Sequence, residues 1–143
     1  MTTDEVKAYL WQARKIDNRL QRERRNLEKL RSSVEYHSPS FDGAGGCGEG
    51  DKIGRAVANI MERAERVDEL ATEYVAIYEK IEQMIRIVGN DNLEQLLELR
   101  YLHYMKWEYI AARMNYSERQ VTRLHGIALE KISKSVKDVP QCP

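Results

Sequence analysis

Between positions 116 and 125 the chain reads Tyr-Ser-Glu-Arg-Gln-Val-Thr-Arg-Leu-His, a run dense in side chains that hydrogen-bond to phosphates or base edges. Arginine carries a planar fork of donors that matches guanine or phosphate oxygens in pairs. Glutamine does the same for adenine, and a hydroxyl serves either base or phosphate. Val121, Leu124, Ala128 and Ile132 recur at three- and four-residue steps. If they turn inward on a helix, Glu118, Arg119, Thr122 and Arg123 face outward, with Gln120 and His125 near the edges. Ser117 followed three positions later by Gln120 is a capping box, so the helix starts there, and its free N–H groups suit a nearby phosphate. This spacing selects Tyr116, Ser117, Glu118, Arg119, Gln120, Thr122, Arg123 and His125 as candidate contacts to duplex DNA. Tyr116 either bonds a phosphate or packs on the preceding helix.

The elements that must position this run are legible around it. From Trp107 a short helix carries Ile110, Ala111 and Met114 inward, and Asn115 and Tyr116 make the turn. The result is a helix-turn-helix, in which the second helix enters a major groove. Upstream, Gly89, Asn90 and Asp91 separate a further helix, Asn92 to Tyr104, with Leu93, Leu96, Leu97 and the 99–102 region inward. Tyr101, Tyr104, Trp107 and Tyr109 cluster beside the pair. They suit either base stacking or a core, and a core is favoured because so small a unit needs the buried area. Gly126 inside the last helix costs about 1 kcal/mol relative to alanine. It admits close approach of a helix or of the DNA backbone, or it carries no role.

Two longer stripes precede this module. Residues 4–34 place Val6, Tyr9 or Leu10, Ala13, Ile16, Leu20, Leu27, Leu30 and Val34 on one face, with Asp4 as a cap and the Arg24 stem lying across the seam. Residues 51–88 repeat the pattern from Ile53 through Val57, Ile60, Ala64, Val67, Ala71, Tyr74, Ile81 and Val88. Between them lies HSPSFDGAGGCGEG, residues 37–50, whose glycines predict a flexible break. It is not a phosphate-binding Walker loop, since no Gly-Lys-Ser/Thr follows and no strand precedes. The two stripes bury equally well as an antiparallel hairpin within one chain or against another chain.

Composition narrows the class. The 143 residues carry 23 basic and 23 acidic side chains, unevenly divided. Residues 1–34 hold nine Lys/Arg against five Asp/Glu, residues 35–99 six against fourteen, and residues 100–143 eight against four. The candidate contact segment is therefore basic and the middle acidic. No membrane span or signal core is present, which predicts a cytoplasmic protein without a membrane partner. Cys47 and Cys142 are expected as free thiols. The carboxylates Glu62, Glu65, Asp68, Glu69 and Glu73 read as a wet helix face. His37, His103 and His125 complete no Glu-x-x-His pair, so neither enzyme chemistry nor a metal or other cofactor is expected.

The segment LRYLHYMKWEYIAARMNYSERQVTRLHGIALEKI resembles region 4 of bacterial sigma-70 factors. It is more similar still to the sigma-like C-terminal module of the ArpU/RinA group of phage and prophage late-gene transcription regulators. The matching positions are Leu99-Arg100-Tyr101, Trp107, Ile110-Ala111, Tyr116-Ser117, Arg119-Gln120-Val121, Arg123-Leu124-His125 and Ala128-Leu129, about a quarter of the chain. The resemblance implies that residues 117–125 enter the major groove, with Arg119, Gln120 and Arg123 carrying most contacts. It also implies RNA polymerase as a partner. The chain departs from a sigma factor in lacking a region 2, which counts against promoter melting by this protein alone.

The expected fold is all-α: a long antiparallel, coiled-coil-like hairpin (1–88), then a sigma region 4-like helix-turn-helix module (89–137), then a disordered tail (138–143). The expected function is sequence-specific DNA binding by a phage-type transcriptional regulator, with double-stranded DNA as partner and the long helices available for a homodimer. Two alternatives stay open on the same residues. One is a phage small terminase or DNA-packaging adaptor, and the other is a structural helical protein-interaction module.

Overall fold

The protein is described from a computed structural model covering residues 1–36 and 47–136. The expected tail at 138–143 and most of the expected loop lie outside the described residues. The fold is all-α. Its helices are α1 (Thr3–Leu10), α2 (Gln12–Tyr36), α3 (Cys47–Arg86), α4 (Asp91–Leu97), α5 (Trp107–Met114) and α6 (Glu118–Ser135), and a π-helical turn at Glu98–Leu102 follows α4. The long helices α2 and α3 form a hairpin-like pair, followed by the smaller helices.

Three boundaries differ from the sequence reading. The helix expected over 4–34 is divided at Trp11, and its cap is Thr2 rather than Asp4. The Thr2 hydroxyl accepts from the Glu5 N–H at 3.2 Å while the Glu5 carboxylate accepts from the Thr2 N–H at 2.9 Å. This is a reciprocal capping box that spacing alone reveals once Thr2 is considered. The glycine-rich break is shorter than 37–50, because α3 already includes Cys47 through Gly50. The helix expected over 92–104 changes pitch at Glu98, where the His103 N–H reaches back to the Glu98 carbonyl at 3.0 Å. That five-residue step widens the turn and re-aims the side chains after it. Tyr104 then takes a left-handed backbone, φ 57°.

The described residues divide into two compact units, one within 16–73 and a second formed by 1–15 with 74–136. This division departs from the boundary near residue 88 that hydrophobic periodicity suggested. Periodicity shows which face is apolar but not which neighbour covers it. In the 16–73 unit, Leu20, Leu27 and Val67 are buried between α2 and α3. Arg24, Leu27 and Arg31 line one groove together with Ala64, Val67 and Asp68.

The other unit holds the main core. Val6, Leu10 and Ala13 from its N-terminal part have no exposure. They cluster with Ile81, Ile85, Leu93, Leu96, Leu97, Ile110, Val121, Ala128 and Ile132. Helix α1 packs on α6, as do α4 and α5. The Ser133 hydroxyl donates to the Met1 carbonyl. Asn90 caps α4, its side-chain oxygen accepting from the N–H groups of Asn92 and Leu93.

The N-terminal turns are thus part of the C-terminal core. Leu10→Ala is expected to destabilise that core by about 2–5 kcal/mol, as for other buried leucines. Amide exchange across Val121–Ile132 should accelerate with it. Unchanged protection in α6 would show that α1 is a dispensable appendage.

Candidate nucleic-acid interface

The α5–α6 pair is built by its turn. Asn115 ends α5 in the left-handed region, φ 58° and ψ 40°, a conformation asparagine tolerates better than most residues. The Tyr116 N–H returns to the Ala111 carbonyl at 3.0 Å. Ser117 then starts α6. Its hydroxyl accepts from the Gln120 N–H at 3.2 Å, and Gln120 Oε1 accepts from the Ser117 N–H at 3.1 Å. The capping box read from the sequence is present in full. Ile110, Ala111, Val121, Ala128, Leu129 and Ile132 hold the pair against the core.

The opposite face of α6 is open. Glu118, Arg119, Gln120, Thr122, Arg123 and Gly126 are exposed. At about 100° per residue, Arg119, Arg123 and Gly126 fall near the middle of that face, with Thr122 beside them. The ion pairs among the described residues lie within α3, Glu62–Arg66 and Glu82–Arg86. Arg119 and Arg123 therefore present uncommitted guanidinium groups. Thr122 is exposed and donates its hydroxyl to the Glu118 carbonyl at 2.9 Å. Gln120 is tied into the cap, so pairing with adenine through both ends of its amide requires giving up that bond. Glu118 complements the positive helix start but repels a phosphate beside it.

Two of the selected residues point elsewhere. Tyr116 is half-buried against the core, the packing alternative of the two left open. His125 is 7% exposed and lies inside. Its Nε2 is 2.6 Å from the Tyr101 hydroxyl, and its ring meets the edge of Trp107 at 4.7 Å. It is therefore not part of the exposed face. The signal was available, because His125 falls four residues after Val121 and seven before Ile132, on the same face.

The residues that the sequence did not bring together form a stack behind the interface. The Arg100 guanidinium lies 4.4 Å from the Trp107 ring and 5.0 Å from the Trp11 ring. Its Nη1 donates to the Met105 carbonyl at 3.0 Å. Trp11 meets Tyr101 edge-on at 4.9 Å. Burial lowers the Arg100 pKa, with Arg14 adding to that effect and Tyr101 opposing it. Tyr101 is fully buried, and Tyr104 is half-buried with its hydroxyl 3.2 Å from that of Tyr74. Neither is placed to stack on bases. Among the described residues no group of three or more His, Cys, Asp or Glu side chains is placed to hold a metal ion. Among the same residues no helix is long and apolar enough to cross a membrane.

The buried pair makes the unit sensitive to acid. Burial pushes the Tyr101 hydroxyl up to about 12, the Arg100 charge opposing it. Burial also lowers His125 from 6.5 to about 4, with Lys7 and Arg100 acting in the same direction. Both shifts keep the pair neutral, with one hydrogen bond shared between the Tyr101 hydroxyl and Nε2. The unfolded chain takes up a proton on this histidine near pH 6.5, which the folded chain refuses. Stability is therefore complete above about pH 6.5 and falls as pH drops toward about 4, by roughly 2–4 kcal/mol. Thermal unfolding between pH 7 and pH 4 measures this. In His125→Gln the slope over that window should flatten, and a wild-type slope in this variant would assign the effect to other groups.

Comparison with family models, with curated proteins and with solved structures finds no match. The geometry therefore carries the functional reading without support from a relative.

Proposed function

We propose that the chain is a helical interaction protein in which the α5–α6 pair contacts duplex DNA. The helical architecture alone carries the broader reading, an interaction module. One observation favours DNA as the ligand of this unit. Helix α6 is docked through residues without exposure while Arg119 and Arg123 stand unpaired on its outer face beside Thr122, just after a capped N-terminus. Arginines there reach guanine edges or phosphates, and the free N–H groups of the first turn favour a phosphate. Such a protein serves as a phage-type transcriptional regulator, as the resemblance to the ArpU/RinA group implies, with RNA polymerase as a second partner. The same surface serves equally in a DNA-packaging adaptor.

A second reading, a protein-interaction module, is favoured by the 16–73 unit. Its buried apolar side chains are few, whereas Ile53, Val57 and Met61 are 39%, 43% and 65% exposed. They recur every four residues along α3, a stripe suited to another helix. A second copy is the partner that would make this protein a dimeric regulator.

Binding of randomised duplex DNA at several salt concentrations tests the main reading. Affinity should fall with salt as counterions return to the phosphates. Arg123→Ala should weaken a selected duplex by about 1–3 kcal/mol if the contact is to a base pair, and less on random duplex. Folded protein that retains no duplex at low salt would leave the protein-interaction module as the function. Mass in solution separates the remaining forms, with a closed ring indicating packaging and a dimer regulation. Val57→Asp with Met61→Asp should convert that dimer to monomer.

A further inference from the structure

Gly126 lies in the middle of α6, on its outer face. A Cβ built there meets nothing within 4 Å. Its backbone does not have positive φ, since the positive-φ glycine among the described residues is Gly89. Neither packing within the chain nor backbone conformation therefore requires glycine at 126. Glycine inside a helix nevertheless weakens it relative to alanine, through the extra freedom of the unfolded chain. The fold bears that weakness without any internal return.

The position explains where a return would come from. Gly126 follows Thr122 and Arg123 by one turn and Arg119 by two. It continues the line of outward side chains and leaves a notch in it between Arg123 and Glu130, flanked on one side by Ile127, which is 36% exposed. Past the notch, the carboxylate of Glu130 faces outward and repels phosphate, which bounds the contact surface at that end.

We propose that Gly126 is the close-approach point of the interface, at which the sugar-phosphate backbone of a DNA duplex lies against the helix axis while Arg119 and Arg123 reach past it into the groove. The inference rests on the DNA reading above and adds to it the depth to which α6 seats. A methyl group at 126 lifts the helix off the duplex and lengthens every contact made by the arginines. Glycine at 126 is therefore a positioning residue for those two side chains.

The test sets stability against binding. Gly126→Ala and Gly126→Leu are compared with the wild-type chain in thermal unfolding and in binding to a duplex enriched from a randomised pool of roughly 30 base pairs, long enough for two half-sites. Both variants should melt higher than wild type by several degrees, because the helix gains propensity. Both should bind more weakly, the leucine variant by about tenfold or more, as for loss of a specific contact. A protein that is more stable and binds less well is the signature of a surface shaped for a ligand. Unchanged affinity in the leucine variant would overturn the inference while leaving the DNA reading intact. A wild-type chain that binds no duplex would remove both. A change in solution mass of either variant without a change in DNA affinity would assign Gly126 to a protein contact and likewise overturn the proposal.

Discussion

The rotation of α6 about its own axis is the constraint on which the rest depends. Val121, Ala128 and Ile132 lose all contact with water between α1, α4 and α5, but burial by itself has no direction and tolerates a helix turned by part of a residue. The bond between Tyr101 and His125 supplies direction, since a short hydrogen bond weakens steeply when its angle opens. One apolar seam and one polar contact together fix which side chains face water. A slip of a single position would swing the outer face by about 100° and bring a different set forward.

The arginine stack serves the same end from the other side. Arg100 lies over two tryptophans, one just after α1 and one at the start of α5, and its Nη1 closes onto the loop carbonyl of Met105. A cation over an aromatic face contributes about 0.5–2 kcal/mol depending on how far it is desolvated. Here one guanidinium joins the start of α5 and the loop before it to Trp11, a residue distant in sequence. The π-helical turn that carries Arg100 also carries Tyr101, so it places both the cation and the partner of His125. An irregularity in helix pitch is thereby the means by which two interactions converge on α6.

How much of this the sequence discloses depends on whether the signal is local. The all-α class, the α5–α6 pair, its turn and the capping box were legible because each rests on neighbours within four residues: Ser117 with Gln120, Asn115 with Ala111. The outward placement of Arg119, Thr122 and Arg123 followed from the same periodicity. His125 shares the spacing of Val121 and Ile132, but imidazole is at home in water or in a core, so its type does not reinforce that signal as an apolar side chain would, and its partner Tyr101 lies 24 residues away. The division at Trp11 was hidden for a related reason. Val6, Leu10 and Ala13 continue the stripe of α2 in sequence, yet their cover is α6 and its neighbours, which a one-dimensional pattern does not name. The π turn left no trace either, since Glu98 to Leu102 has ordinary helix-forming composition.

The pairing of the first helix with the last has a consequence for how the chain acquires its structure. During synthesis α1 leaves the ribosome with its apolar side chains bare and waits while some hundred intervening residues are made. Its docking site does not exist until α6 emerges. Local helices form in about a microsecond, whereas closing so long a loop is entropically slow to reward. The module that carries the arginines is thus completed only once α6 is available to α1, and a chain cut before α6 lacks the helix on which α1, α4 and α5 pack.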